Sequence, residues 1–273
     1  MHSLFHPNPV SSVTIRFDKK NMFSLAAIQA ILLSQGIEVK FSSRPVDGIM
    51  IYSLATPQAT DVYREVANSR TRSIFIAGGP HPSARAAEAL EHFDFVVIGE
   101  GEETLPELIL ALRGCGDVDE VRGIAFRNPD GIRKTDPRPH VDLDAYPPFI
   151  ENLRAPIEIS RGCPYNCKYC QTPRLFGTKM RHRSAATIVF YSNYLSDIRF
   201  ISPNAFAYGS DGRHTALHAS TSSSRRCVAG CILALSHQKC GQNLLQMSFL
   251  RSSRSTAQIL QSTSEHSREA MLY

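Results

Sequence analysis

Three cysteines lie close together near the middle of the chain, directly after an arginine and a glycine. Cys163, Cys167 and Cys170 have the spacing C-x3-C-x2-C and follow Arg161-Gly162. Three closely spaced thiolates without a nearby fourth suit a [4Fe–4S] cluster, because one iron is then left free of protein. A free iron is a place where a small molecule can bind. The spacing therefore predicts a reactive cluster rather than a structural one.

Two other interpretations of these cysteines stay open. A zinc site normally needs four ligands, often from paired C-x2-C units, and the nearest extra candidate is His182, well downstream of Cys170. The thiols could also be chemically inert, since a disulfide network would need an oxidising compartment. The pattern favours the cluster over zinc, and zinc over inert thiols.

The segments that flank the cysteines predict the start of a parallel barrel. Residues 155–160 alternate apolar and polar side chains and indicate a short strand. Ser184 is a candidate N-cap for a helix that runs to about residue 195, and residues 197–201 predict the next strand. This order is one βα unit, a kind of fold that carries its chemistry on the loop after the strand.

The cysteine motif resembles the signature of the radical S-adenosylmethionine (radical SAM) enzymes. The resemblance implies that Cys163, Cys167 and Cys170 bind three irons, while S-adenosylmethionine chelates the fourth through its amino and carboxylate groups. It also implies reductive cleavage of the sulfonium to a 5′-deoxyadenosyl radical, which abstracts a hydrogen atom from the substrate. Tyr169 matches the aromatic residue that packs near the adenine in this family, and a core tyrosine is an equally good interpretation.

One motif of that family is replaced in this sequence. After their second barrel strand, radical SAM enzymes usually carry Gly-Gly-Glu, which contacts the methionine amino group. Residues 202–206 read Ser-Pro-Asn-Ala-Phe at this place. Ser202 and Asn204 are therefore the candidates for binding S-adenosylmethionine here.

Residues 1–115 predict a separate α/β unit. Strand-like and helix-like segments alternate through it, which is typical of a doubly wound parallel sheet with its ligand site beyond the C-terminal strand ends. The predicted strands are residues 13–17, 37–41, 48–52, 73–77 and 95–98, and the predicted helices are residues 23–33, 57–67, 83–92 and 104–112.

This first unit resembles the cobalamin-binding domain that precedes many radical SAM domains. The resemblance rests on residues 52–56 (Tyr-Ser-Leu-Ala-Thr), 77–81 (Ala-Gly-Gly-Pro-His) and 94–102 (Asp-Phe-Val-Val-Ile-Gly-Glu-Gly-Glu). It implies a flavodoxin-like fold. The resemblance to proteins that combine the two domains covers residues 12 to 217, and it is strongest to an archaeal-type group of them.

Four residues are implied to lie near the nucleotide tail of cobalamin: Ser53, Thr56, Gly78 and Gly79. Taken alone, the two glycines indicate only a tight turn from strand to helix. The D-x-H-x-x-G signature, whose histidine replaces the lower cobalt ligand in some cobalamin proteins, is absent from the sequence. Cobalamin is therefore a candidate second cofactor, bound without that ligand.

Residues 116–150 predict a β-hairpin followed by a proline-rich linker, and residues 151–218 the N-terminal part of a radical SAM domain. From residue 219 to 273 the chain becomes rich in serine and arginine and loses aspartate and proline. The cysteines in this tail, Cys227, Cys231 and Cys240, have no recognisable ligand pattern. We expect the tail to be disordered, or translated out of frame after about residue 219.

Composition excludes few classes of protein. The 273 residues carry a formal charge of +5 without a dense run of lysine and arginine, so nucleic acid is not indicated as a partner. We expect no membrane partner, because no apolar run approaches the roughly 18–20 residues of a spanning helix. Clustered thiols point to the reducing cytoplasm.

Together these observations predict a radical SAM enzyme that acts on a small molecule and receives electrons from a reductant such as ferredoxin or flavodoxin. Two alternatives are a cluster- or corrinoid-binding fragment that is not a competent catalyst, and a zinc-binding interaction protein.

Overall fold

The computed structural model describes residues 12–211. Strands and helices alternate through the first part, and short strands dominate the second. In chain order they are β1 (Val13–Arg16), α1 (Met22–Ser34), β2 (Val39–Ser42), β3 (Gly48–Ser53), α2 (Ala59–Ala67), β4 (Ser73–Gly78), α3 (Pro80–Ala84), α4 (Ala86–Ala89), β5 (Phe95–Val97), α5 (Thr104–Leu112), β6 (Ile124–Asn128), β7 (Gly131–Lys134), β8 (Ile157–Glu158), β9 (Ser160–Arg161), α6 (Thr172–Phe176), β10 (Arg181–His182), α7 (Ala185–Ser192) and β11 (Phe200–Ile201).

The first part folds around a seven-stranded sheet of order β2-β1-β3-β4-β5-β6-β7. The first five strands in this order are parallel. The order 2-1-3-4-5 is that of flavodoxin-like folds, in which ligands bind where the connections change direction. The predicted doubly wound parallel sheet is therefore confirmed.

Apolar side chains cover both faces of this sheet. On one face Leu25 of α1 and Leu108 of α5 pack with the strands. On the other face Tyr63 of α2 and Ala89 of α4 pack with Tyr52 of β3. Two packed layers of helix explain why the central strand β3 is buried along its whole length.

Helix α1 belongs to two hydrophobic cores. Its Leu25 lies in the sheet core, whereas the adjacent Ala26 packs with Phe149, Ile157 and Ile188 of the second part. A helix that is buried on opposite sides needs apolar residues all round rather than on one stripe. This explains the nearly uninterrupted apolar sequence of α1, and it joins the two parts of the chain.

The hairpin that the sequence places in the connection is part of the first sheet. Strand β6 pairs antiparallel with β5, where Val96 is the register partner of Ala125, and β7 pairs with β6. The hairpin thereby adds two strands beside β5 and protects that edge from further pairing.

The second part contains the predicted βα unit. Strand β11 pairs parallel with β8, with Phe200 as the register partner of Ile157. Helix α7 lies between them in the chain, and its N-cap is Ser184, whose side chain accepts a hydrogen bond from the Thr187 amide. The expected barrel start is confirmed, although α7 ends at Ser192 instead of near residue 195.

The tail from residue 219 to 273, with Cys227, Cys231 and Cys240, lies outside the described residues. Within the part of the chain that the structure describes, no helix has the length and apolar character to cross a membrane.

Candidate functional site

The cysteine loop begins at a backbone position that only glycine can occupy. Gly162 follows β9 with φ +87°, and a Cβ there would collide with the carbonyl oxygen of Lys179. The next residue, Cys163, donates its amide hydrogen to the Gly177 oxygen at 3.1 Å. The start of the loop is therefore held against the segment that follows α6.

All three cysteines of the loop are half-buried free thiols. The Cys170 amide donates to the Cys167 oxygen at 3.0 Å, which closes a turn at the end of the loop. Hydrogen bonds from the side chain and the backbone of Thr172 favour the thiolate and lower the pKa of Cys170 below its ordinary value. Cys170 is therefore favoured as the thiolate, the form of cysteine that binds metals.

The three sulfurs do not surround a single ion. Among residues 12–211, no group of three or more His, Cys, Asp or Glu side chains is arranged to hold a metal ion. An iron–sulfur cube is larger than one ion, so its three ligands stand farther apart than the ligands of zinc. The donor set, three free thiols on one short loop, fits a cluster by its chemistry.

His182, the candidate fourth zinc ligand, has both ring nitrogens engaged. Its Nε2 lies 2.7 Å from the Ser210 carbonyl oxygen, and its Nδ1 lies 2.9 Å from the Ser160 hydroxyl. Nε2 must carry the hydrogen, so Nδ1 accepts from Ser160. Burial lowers the pKa of His182, although the bond to Ser210 opposes the shift. The lone pair that zinc requires is therefore already used.

Tyr169 is not a core residue. Its side chain is 91% exposed, which leaves it accessible beside the cysteines. Ser202 and Asn204 are half-buried and follow β11, where the Asn204 amide donates to Ser202 Oγ at 3.3 Å. Because β11 is parallel to β8, Ser202 and Asn204 lie at the edge formed by the C-terminal ends of both strands. The chain leaves β8 at this same edge and continues to the cysteine loop.

The predicted cobalamin residues meet at the C-terminal ends of β3 and β4. Ser53 and Gly78 are register partners, and Gly79 follows with φ +97°. A Cβ on Gly79 would stand 2.9 Å from the Leu54 oxygen and 3.4 Å from Ser53 Oγ. This cradle exists only because residue 79 lacks a side chain. Thr56 lies exposed on the same loop.

His81 supports this edge from within a helix. Helix α3 begins at Pro80, earlier than the predicted Ser83, and His81 is buried within it. One ring nitrogen is 2.9 Å from the Tyr63 hydroxyl and the other 3.3 Å from Thr56 Oγ1. His81 therefore ties the Thr56 loop to α2.

A buried cluster of charges joins the two parts of the chain. It begins at Glu100, on the loop after β5, which accepts from the Val141 amide at 2.8 Å and from both terminal nitrogens of Arg181. Arg181 also donates to the Phe176 oxygen at 3.1 Å, at the end of α6. Glu100 thus connects the first sheet to the linker and to the segment after the cysteines.

Arg161 lies at the centre of this cluster. Its guanidinium is 2.7 Å from Glu102 of the first part and 2.6 Å from Glu158 of the second. Glu100 lies at 3.5 Å, and the Phe176 ring lies below the guanidinium at 5.3 Å. All three charged partners of Arg161 are nearly buried, so their charges depend on one another for compensation.

The sequence pointed only weakly to these carboxylates. Acidic residues that open a helix are common and favourable there, so the sequence alone does not distinguish Glu100, Glu102 and Glu103. Only Glu103 matches such a helix-opening residue, since its side chain is 44% exposed. In the sequence, this cluster is indicated by an acidic loop after β5 together with Arg161 and Arg181, which stand on either side of the cysteines.

The charge cluster changes how Glu100 titrates. Burial raises its pKa, but hydrogen bonds from Arg181, the charge of Arg161 and the Val141 amide together outweigh burial, so the pKa is below its ordinary value. Glu100 therefore stays ionised at neutral pH despite its buried position.

Residues 23–109 match the B12 binding domain family. The match starts in α1 and ends in α5, and it includes the strand ends that carry Ser53, Gly78 and Gly79. The chain contains a B12-binding domain. This confirms the predicted type of the first unit.

Relatives of the chain combine this domain with further sequence. The chain is 36% identical over 126 residues to the anaerobic magnesium-protoporphyrin IX monomethyl ester cyclase of Synechocystis sp., over 40% of this chain and 25% of the cyclase. The chain therefore spans about a quarter of that relative's length. A match of this extent does not assign the relative's reaction to this chain.

Two solved structures share the fold. OxsB, a cobalamin-dependent S-adenosylmethionine radical enzyme with aqua-cobalamin and S-adenosylmethionine bound, has a TM-score of 0.51 and 21% identity, over 67% of this chain and 31% of OxsB. TsrM from Kitasatospora setae, a radical S-adenosylmethionine methyltransferase with cobalamin and a [4Fe–4S] cluster bound, has a TM-score of 0.51 and 17% identity, over 66% of this chain and 44% of TsrM. Each likeness covers more of the chain than residues 23–109, so the shared fold extends beyond the match to the B12 binding domain family.

Gly162→Ala should destabilise the protein more than Gly209→Ala. Both glycines have similar positive φ values, +87° and +79°, but only a Cβ on residue 162 meets other atoms within 4 Å. We expect an additional loss of about 2 kcal/mol in the free energy of unfolding for Gly162→Ala. Urea unfolding of the two variants measures this, and equal losses would contradict the steric argument.

The stability supplied by Glu100 should disappear in acid. Its pKa is lowered by folding, so its contribution is complete above the pKa of an unfolded glutamate, about 4.3, and is lost as the pH falls through the folded value. Glu100→Gln should therefore lower the free energy of unfolding at pH 7 by about 3–5 kcal/mol and flatten its decline below about pH 4. Urea unfolding across this range gives both quantities.

The control for this prediction is Asp61→Asn, which removes a carboxylate that is 82% exposed and paired on the surface with Arg64. It should change the stability at pH 7 little. A Glu100→Gln variant with the acid response of wild type would refute the role of the buried carboxylate.

Proposed function

We propose that this protein is a cobalamin-dependent radical SAM enzyme or a part of one. The observation that carries the proposal is the packing of a three-cysteine loop against a B12-binding domain through one buried charge cluster. Cys163, Cys167 and Cys170 would bind a [4Fe–4S] cluster by three corners. When bound, the cluster and the cobalamin would supply electron transfer and methyl-transfer chemistry that side chains lack.

The chain's own residues would bind and orient these cofactors. Gly162 allows the loop to turn out of β9, and Thr172 favours thiolate at Cys170. Ser202 and Asn204 stand at the neighbouring strand end, where they would contact S-adenosylmethionine. The exposed ring of Tyr169 has a flat apolar face free to lie against the adenine.

The cradle at Ser53, Gly78 and Gly79 would receive the nucleotide tail of cobalamin. Two backbones approach closely there because residue 79 has no side chain, and the Ser53 hydroxyl and Thr56 offer polar contacts beside it. Since the D-x-H-x-x-G motif is absent from the sequence, that motif would supply no histidine to a bound cobalamin.

The proposal extends to the surroundings of the reaction. The substrate would be a small molecule, the electron would come from a reductant such as ferredoxin or flavodoxin, and the protein would work in the cytoplasm. A second candidate is a cofactor-binding fragment without catalysis, favoured because the match to the cyclase covers 25% of that relative's length. Release of 5′-deoxyadenosine from S-adenosylmethionine separates the two candidates.

Anaerobic reconstitution with iron and sulfide tests the cluster. Wild type should bind about four irons and give the electron paramagnetic resonance signal of a reduced cubane. Cys163→Ala should lose most of this iron because one corner has no ligand. Cys115→Ala, which removes an exposed cysteine of the first part, should bind as much iron as wild type. Equal iron in the two variants, or a colourless wild type with one zinc, would contradict the proposal.

Titration with hydroxocobalamin tests the cradle. Gly79→Ala should weaken binding on the order of tenfold or more, since its Cβ intrudes on Leu54 and residue 79 has positive φ. Gly114→Ala is the matched control, because residue 114 lies outside the cradle and has a similar positive φ of +86°, but its Cβ would meet nothing within 4 Å. Thermal unfolding must show both variants folded. If Gly114→Ala and Gly79→Ala bind equally well, cobalamin does not occupy this edge.

A further inference from the structure

Two arginines hold the cysteine loop at both of its ends. Arg161 directly precedes Gly162-Cys163, and its guanidinium also lies over the ring of Phe176 in α6, after the last cysteine. Arg181 donates to the backbone oxygen of the same Phe176 at 3.1 Å. The two side chains therefore contact the segments that lead into the loop and out of it.

Both arginines are paired by the B12-binding domain. Glu102 lies 2.7 Å from Arg161, and Glu100 binds Arg181 and lies 3.5 Å from Arg161. The Arg161 side chain is 10% exposed, and the Glu100 side chain 4%. Charges that are nearly buried stay paired, because removal of one partner leaves the other charge neither neutralised nor hydrated, which costs free energy.

Arg161 has partners in both parts of the chain. Glu158, three residues before it, binds Nε and one terminal nitrogen, which fixes the side chain within its own segment. Glu102 binds the other terminal nitrogen from the B12-binding domain. Glu102 is the closer of the two carboxylates that reach Arg161 from that domain, since Glu100 lies at 3.5 Å.

We propose that Arg161 is a positioning residue, through which Glu102 of the B12-binding domain sets the conformation of the cysteine loop. This inference rests on the proposed function for its chemical meaning. The loop and the cobalamin edge belong to different parts of the chain, and a reaction that uses both cofactors requires a fixed distance between them. The pairing of Arg161 with Glu102 holds the two parts in such a fixed relation.

Hydrogen exchange of the cofactor-free full chain tests the positioning directly. Glu102→Gln keeps the shape of the side chain and removes the charge that holds Arg161. We expect the amide of Cys163, which donates to Gly177, to exchange about tenfold faster in this variant. Glu103→Gln is the matched control, because Glu103 is on the same loop but pairs with Arg138 instead. Its Cys163 exchange should equal that of wild type.

The reconstituted protein gives a second measurement that a merely structural role would not affect. Loss of the Glu102 charge should shift the midpoint potential of the cluster to a more positive value in Glu102→Gln, with a smaller shift in Glu103→Gln, whose side chain is 44% exposed. If Glu102→Gln failed to fold, Glu102→Asp would replace it in the exchange experiment, because a shorter carboxylate keeps the charge and loses the 2.7 Å contact.

The outcomes separate this inference from the proposed function. Unchanged Cys163 exchange in Glu102→Gln, or an equal increase in Glu103→Gln, would overturn the positioning role. A wild type that assembles no cluster would overturn the proposed function instead, while the exchange experiment, which needs no cofactor, would still decide whether Glu102 acts on the loop.

Discussion

The pairing of Arg161 with carboxylates from two parts of the chain is the interaction on which the rest of the structure depends. Glu102 reaches it from the B12-binding domain, and Glu158 from the strand beside the cysteines. Buried ion pairs add little net stability, but removal of one partner leaves an uncompensated charge and is costly. The ion pairs of Arg161 therefore fix the relative position of the two parts more than they raise the free energy of unfolding.

Apolar packing supports the same arrangement. Helix α1 contributes Leu25 to the sheet core and Ala26 to the core of the second part, so the two cores meet on one rigid element. The linker contributes two hydrogen bonds: the Val141 amide donates to Glu100, and the Asp144 carboxylate accepts from the Ser184 amide. The cysteine loop is thus attached to a scaffold that is continuous with the B12-binding domain.

Much of the architecture followed from local pattern. Alternating strands and helices predicted the parallel sheet, and Ser184 predicted the start of α7, because capping and periodicity are local properties. The pairing of β6 with β5 and the partners of Arg161 were missed, because contacts between residues distant in sequence leave no local pattern. His81 also required the structure, since only the fold shows that Tyr63 and Thr56 engage both ring nitrogens.

The central claim is that three cysteines, held by a B12-binding domain, carry a cluster with one corner open to S-adenosylmethionine. Mössbauer spectroscopy of the anaerobically reconstituted, iron-57-labelled chain tests it most directly. The account predicts a cubane spectrum in which one iron becomes distinct from the other three when S-adenosylmethionine is added. A spectrum without a cubane, or a cubane whose four irons are unaffected by S-adenosylmethionine, would contradict it.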